Sequence, residues 1–202
     1  GAVATGKIKH SISFNRKGSD GYIKNTDFKT NNAFYTNRID TPNGIFSLQM
    51  GHSQKGFGAN SFYTPAYPNQ YEATKTFFSS TRWESKSKFH FSPVVYYRRH
   101  QDRFELFREN PPSWYTTHNY HLTNVYGANL NSWIQWNLGK TALGIEFRSE
   151  NILSNVLGEE MDTPQKVPGE EAEFTKSKTR NTWSAFFEHA VYLKNWTFTG
   201  GI

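Results

Sequence analysis

Long stretches of this chain alternate in character with a period of two, and that alternation restricts its fold more than any other feature. From Leu122 to Trp136 one parity reads Leu122, Asn124, Tyr126, Ala128, Leu130, Ser132, Ile134, Trp136, and the other Thr123, Val125, Gly127, Asn129, Asn131, Trp133, Gln135. Thr141, Leu143, Ile145 and Phe147 oppose Ala142, Gly144, Glu146, Arg148 and Glu150. Trp183, Ala185, Phe187, His189, Val191 and Leu193 oppose Thr182, Ser184, Phe186, Glu188, Ala190 and Tyr192. Ile8, His10, Ile12 and Phe14 oppose Lys7, Lys9, Ser11, Ser13 and Asn15. Successive side chains of a strand point to opposite faces, so each run reads as a half-polar strand and not as a helix. Less clean strands cover about 28–39, 45–54, 72–84, 88–100 and 196–202. The sum is nine strands and no helix, with one helical turn tolerated over Glu170–Phe174.

The connections between these strands have a rhythm. They fall near 16–27, 40–44, 55–71, 85–87, 101–117, 137–140, 153–178 and 194–195, and long alternates with short throughout. Tight turns such as Thr41-Pro42-Asn43-Gly44 and Asn137-Leu138-Gly139-Lys140 stand at every second position. Short turns at one end and long loops at the other are the pattern of bacterial outer-membrane barrels. Several strands reach the roughly 9–11 residues that a tilted strand needs to cross a bilayer. Aromatic residues cluster near strand ends, as in the interfacial girdles of such barrels: Trp83 and Phe89, Trp133 and Trp136, Leu193 with Trp196. The opposite parity carries charges of both signs (Arg82, Glu84, Glu146, Arg148, Glu150, Glu188), which suits a wide, wet lumen better than the packed interior of a small barrel.

Composition narrows the alternatives. Among 202 residues, 34 are aromatic, against 25 Leu, Ile and Val, which argues against a large aliphatic core and against a helical bundle. Disordered chains are poor in aromatics, which argues against disorder. No stretch approaches the roughly 18 apolar residues of a membrane-spanning helix. There is no cysteine, hence no disulfide, thiolate site or cysteine nucleophile. The net charge of +6 permits an anionic partner. Nine is odd, whereas single-chain bacterial barrels have even strand numbers, and the chain begins and ends in mid-strand. The expectation is therefore a part of a larger barrel spanning residues 1–202.

Three segments carry a family resemblance. Lys55-Gly56-Phe57-Gly58-Ala59-Asn60-Ser61-Phe62-Tyr63 continues to Ala66-Tyr67-Pro68 and Gln70-Tyr71-Glu72. His118-Asn119-Tyr120-His121-Leu122 precedes Val125-Tyr126-Gly127-Ala128-Asn129-Leu130-Asn131. Leu138-Gly139-Lys140-Thr141 precedes Leu143-Gly144-Ile145-Glu146-Phe147-Arg148. Together they resemble barrel strands and loops of TonB-dependent outer-membrane receptors, of the BtuB-like vitamin B12 type found in Bacteroidetes. The resemblance covers most of the chain, and it is specific for the receptor class rather than the substrate. It implies an all-β, antiparallel up-and-down transmembrane barrel of 22 strands, of which about nine are here, with the plug domain absent. It implies uptake of a bulky nutrient across the outer membrane, cobalamin or a related corrinoid, driven through TonB by way of an N-terminal segment missing here. A surface lipoprotein lid is an implied partner. A siderophore or haem receptor of the same class, a complete small barrel (adhesin, porin or lipid-active enzyme) and a soluble β-sandwich binding module are the competing readings.

Chemistry-bearing residues are sparse. No Gly-x-Ser-x-Gly elbow and no His-Glu-x-x-His occurs, and Gly56-Phe57-Gly58 lacks the strand-to-helix context of a nucleotide loop. The reading is that the protein is not an enzyme; a barrel-wall hydrolase would need a Ser paired with a His, and nothing in the sequence pairs them. His118 and His121 are three apart and would face opposite ways on a strand. Glu159, Glu160 and Asp162 in the longest loop are candidate calcium ligands, with Glu170, Glu171 and Glu173 of the same standing, though a solvated loop face explains both groups as well. No cofactor is otherwise expected. The loop aromatics Phe57, Phe62, Tyr63, Tyr67, Tyr71, Trp114, Tyr115 and Tyr120 are the ligand-binding candidates, because rigid flat rings suit a corrin, haem or siderophore. Arg98, Arg99 and Arg103 with Tyr96 and Tyr97 are expected at the outer rim, facing lipopolysaccharide rather than nucleic acid.

Overall fold

The computed structural model describes residues 1–202. It is all-β, with eleven strands and no helix. The strands are β1 (Ala2–Thr5), β2 (Ile8–Ser19), β3 (Phe28–Asp40), β4 (Gly44–Gly58), β5 (Tyr71–Ser85), β6 (Phe89–Glu105), β7 (Asn119–Trp136), β8 (Gly139–Ser154), β9 (Glu159–Lys166), β10 (Glu173–Leu193) and β11 (Trp196–Gly201). They form one antiparallel up-and-down sheet in the order β1 to β8, then β10 and β11, with β9 paired to β10 off this path. The sheet is open.

The nine expected strands are present, and two more join them. β1 is a four-residue strand turning back on β2 through Gly6. β9 lies inside the long connection at 153–178 and makes a hairpin with the first residues of β10. The stretch Glu170–Phe174 does not make a helical turn: Glu170 closes a turn onto the Val167 carbonyl, and the strand resumes at Glu173. All four long connections, 20–27, 59–70, 106–118 and 155–172 with its hairpin, lie at one end of the sheet. The tight turns lie at the other. At the turn between β7 and β8, Gly139 has φ +133°, and a Cβ there would stand 1.8 Å from the Ala190 carbonyl oxygen, so only glycine fits.

Register sorts the side chains. Cross-strand partners place Ile39, Phe46 and Trp83 on one face, with Val95, Ala128, Phe147 and Trp183 on that same face further along. From the tight turns up to Phe14, Ala33, Phe77, Tyr97, Tyr126, Phe147 and Trp183, this face holds no Asp, Glu, Lys or Arg. Every charge of that zone sits on the other face or in the turns. The apolar face carries two rows of aromatic residues. One, at the tight-turn end, contains Phe46, Trp83, Phe89, Phe91, Trp136 and Trp196. The other contains Tyr35, Phe77, Tyr97, Tyr126 and Trp183, with the Tyr97 and Tyr126 rings stacked at 4.9 Å. Trp136 and Tyr126 are separated by ten positions of β7, about 33 Å of strand, or about 25 Å along the normal at a tilt near 40°.

Nothing covers this face. Only 18 of 202 residues are buried, while Val95, Ile145, Trp183 and Trp196 stand exposed. Cohesion comes from the ladder: 116 of 132 backbone hydrogen bonds lie within the strands. The one apolar cluster with buried centres is at the long-loop end, where Tyr120, Leu122, Val167 and Phe174 pack with Leu153 and Ala172.

Candidate ligand-binding face

The polar face is the chemically equipped one. Its charges are paired along and across strands: Arg38 with Asp40 at 3.2 Å, Arg82 with Glu84 at 3.3 Å, Arg148 with Glu150 at 2.5 Å, and Arg180 also with Glu150. The Tyr96 hydroxyl donates to Glu146 at 2.8 Å. These pairs are exposed and individually worth little; what they define is a wet surface of mixed sign. Three aromatic rings lie on this face over glycines of the neighbouring strand: Phe78 over Gly51, Tyr96 over Gly127 and Phe186 over Gly144. A Cβ on any of these glycines would come within 2.0–2.3 Å of the ring.

At the long-loop end the eight aromatic candidates separate into three groups. Phe62 and Tyr63 gather with Phe104, with ring centroids 4.9 and 5.1 Å apart. Phe57 shares the polar face with Phe104 through the row Phe28–Phe57–Glu72–Phe104, and Lys55 sits over its ring at 4.2 Å. Tyr67 and Trp114 pack edge-on around Phe107, joining two loops. Tyr71, Tyr115 and Tyr120 serve the scaffold. Tyr71 lies on the apolar parity under the Arg108 guanidinium, and Tyr115 receives the Leu106 amide at 2.9 Å. Tyr120 is buried in the rim cluster.

The exposed aromatic group has acidic neighbours that the sequence reading did not single out. Glu72 accepts a hydrogen bond from the Tyr63 hydroxyl. Burial, then this bond, pushes the Tyr63 hydroxyl up to about 12. Asp102 stands on the same face beyond the upper aromatic row. One of its carboxylate oxygens is buried without a partner, and burial followed by the Glu72 charge raises its pKa to about 6. Glu72, Asp102 and Phe104 share a face, which the period-two pattern could have revealed once β6 was extended to its true end. The loops above are tied down by Arg108, whose forked contact to Asp27 (2.6 and 3.1 Å) holds that carboxyl below its usual range. Gln70, fully buried, is bound through its carbonyl by Ala59 and Asn25.

The register also places the other candidates. Glu159 pairs with Lys178 and Glu160 with Lys176 at 3.2 Å along the β9–β10 hairpin, and Asp162 stands exposed on β9. Glu170 is taken by Arg103 at 2.8 Å. No three acidic or histidine side chains converge as a metal group. Of the three arginines expected together at the rim, Arg98 faces the polar side, while Arg99 and Arg103 have the apolar parity. A serine and a histidine do pair, His121 Nδ1 with Ser154 Oγ at 2.9 Å, in a cross-strand row with Asp102. Ser154 is fully buried, and its oxygen accepts the Val156 and Leu157 amides at 2.9 and 2.8 Å. It is a turn-forming hydroxyl with no lone pair left for attack.

Comparison with protein-family models, curated proteins and solved structures finds no match.

Proposed function

We propose that this chain is a wall segment of a TonB-dependent receptor barrel in the bacterial outer membrane, which takes up a bulky nutrient, cobalamin or a related corrinoid. One observation carries the membrane part. On one face, over about 25 Å between two aromatic rows, formal charge is absent and no second layer covers the sheet, while the opposite face is wet and charged. Lipid is the solvent that this asymmetry suits, and the short-turn and long-loop ends suit its two sides. A β-sandwich would need a second sheet over the apolar face, and all strands here lie in one. The further strands that would close the wall, the plug and the TonB-contacting segment belong to the proposal. The cargo reading rests on the resemblance of the three segments, supported by the exposed rings of Phe62 and Tyr63 at the long-loop end.

The absence of cysteine makes the test direct. Single cysteines are placed at Ala128, Leu130, Asn129 and Asn131 in the protein that carries this chain, in outer-membrane vesicles. A water-soluble maleimide is expected to label 129 and 131, and a bimane at 128 and 130 is expected to be quenched by brominated lipid. Equal labelling at all four positions overturns the membrane reading. Cyanocobalamin binding to the detergent-purified protein, measured by calorimetry beside haem and a ferric siderophore, tests the cargo. Heat with haem or siderophore alone moves the receptor to that cargo.

A further inference from the structure

At the upper edge of the uncharged zone, the same parity changes character. Three successive cross-strand rows tell the story. The first runs Phe14, Ala33, His52, Phe77, Arg99, Asn124; the second Arg16, Asn31, Gln54, Lys75, Gln101, Leu122; the third Gly18, Lys29, Gly56, Ala73, Arg103, Tyr120. Five cations appear on β2 to β6, and these rows hold no carboxylate. Arg103 is neutralised by Glu105 at 2.9 Å and by Glu170 at 2.8 Å. Arg16, Lys29, Lys75 and Arg99 are exposed and have no ion-pair partner. The corresponding positions of β7, β8 and β10 are uncharged, Asn124, Asn151 and Thr179 among them, so the patch is local rather than a belt around the wall.

The four free cations form two diagonal pairs on neighbouring strands, Arg16 with Lys29 and Lys75 with Arg99. Their centres are three strand spacings apart, roughly 14 Å at about 4.8 Å per strand. Between them runs a groove of about 370 Å³ lined by one cation of each pair, Lys29 and Lys75, by Asn31, Gln54 and Gln101, and by the mutually neutralised Arg103 and Glu170. Amide side chains supply hydrogen-bonding groups there, and Arg and Lys favour phosphate oxygens.

We propose that this patch binds the headgroup of an outer-leaflet lipid that carries two phosphates, one held by each cation pair, with the acyl chains lying down the uncharged face below. The occupant follows from position and charge. The cations begin in the cross-strand row of Phe77, one row above Tyr35, Tyr97 and Tyr126, at the depth where the apolar zone ends and headgroups would stand, and a dianionic headgroup complements a patch with four unpaired positive charges. The inference rests on the membrane reading above and adds to it a lipid class and a location.

The test uses the detergent-solubilised protein that carries this chain, with diphosphoryl lipid A as probe and native mass spectrometry as readout. The wild-type protein is expected to retain the lipid at low ionic strength and to lose it as salt is raised. R16Q/K29Q and K75Q/R99Q are each expected to lower retention at least tenfold and to abolish the preference for diphosphoryl over monophosphoryl lipid A. K17Q/R98Q, which removes two cations of the polar face, is expected to leave retention unchanged. Equal loss in that control, or equal retention of phosphatidylcholine by the wild type, overturns the site. Displacement of the lipid by an equal concentration of inorganic phosphate shows a free-anion site and overturns the lipid assignment. Failure of the cysteine labelling pattern at 128–131 identifies a failure of the membrane reading instead, since that experiment does not involve the cations.

Discussion

The zone between the two aromatic rows and the rim beyond the upper one are built from the same strands, yet they solve different problems. In the zone, parity decides where charge goes: it is confined to one face, absent from the other, and there is no buried core. In the rim the sorting lapses. Cations appear on the apolar parity, loops fold down over the wall, and Tyr120, Leu122, Val167 and Phe174 close a small core of their own. A sheet that changes its rule partway along its strands is what the proposed membrane setting, with two solvents, would select. The rim closes a small core of its own, while the apolar face of the zone stays exposed.

The sharpest way to break this comparison is in the rim core. Phe174→Ala removes a fully buried ring, with an expected cost of about 3–5 kcal/mol. Hydrogen exchange should show the loss confined to the β9–β10 hairpin and the start of β7, with the zone still protected; loss of protection throughout would show one cooperative unit. Next comes a charge in the zone. Leu130→Arg on the apolar face should cost about 2–4 kcal/mol in lipid vesicles, while Asn129→Arg on the polar face should stay within about 0.5 kcal/mol. Equal costs, read by denaturant titration in vesicles, would remove the distinction between the faces. Gly127→Ala should cost about 1–3 kcal/mol by driving a methyl into the Tyr96 ring, and the double variant with Tyr96→Ala should recover most of it. Gly200→Ala, with open space around it, should be silent.

A modest, pH-dependent effect belongs to Asp102 in the rim. Its folded pKa, about 6, lies above its ordinary value of 3.8. The folded state therefore holds the proton more tightly. The stabilising effect of that proton is complete below about pH 4 and is lost as pH rises through 6. Asp102→Asn should raise stability at pH 7 by about 1 kcal/mol, allowing for solvent screening of a partly exposed group. It should also flatten the pH profile between 4 and 6. An unchanged profile would show that the carboxylate is solvated.

The same division between zone and rim explains which features could be read from sequence. Where the faces are sorted by charge, as from Leu130 to Trp136, alternation marks both strand and face. Above the upper row, hydrogen bonding continues but alternation stops, so β4, β6 and β7 run further into the apparent loops than their patterns indicated. β9 was invisible for the same reason: Glu159, Glu160, Asp162, Pro164 and Lys166 carry no apolar stripe, and the strand exists because β10 offers it an edge. β1 is too short to show a period. Among the aromatic candidates, ring type alone could not separate Tyr120, enclosed by a turn nearly fifty positions away, from Phe62, which remains open.

The three rings seated over glycines have a consequence for how the sheet assembles. A strand that slips by one residue reverses its faces and is rejected by chemistry alone. A slip by two preserves the faces, and alternation offers no objection. It would, however, move Phe78 from Gly51 onto Gln49 or Ser53, Tyr96 from Gly127 onto Val125 or Asn129, and Phe186 from Gly144 onto Ala142 or Glu146. Each ring would then collide with a side chain where it now meets none. Parity excludes the odd errors and these pegs the even ones, so β4–β5, β6–β7 and β8–β10 each carry their own proofreading step against mispairing.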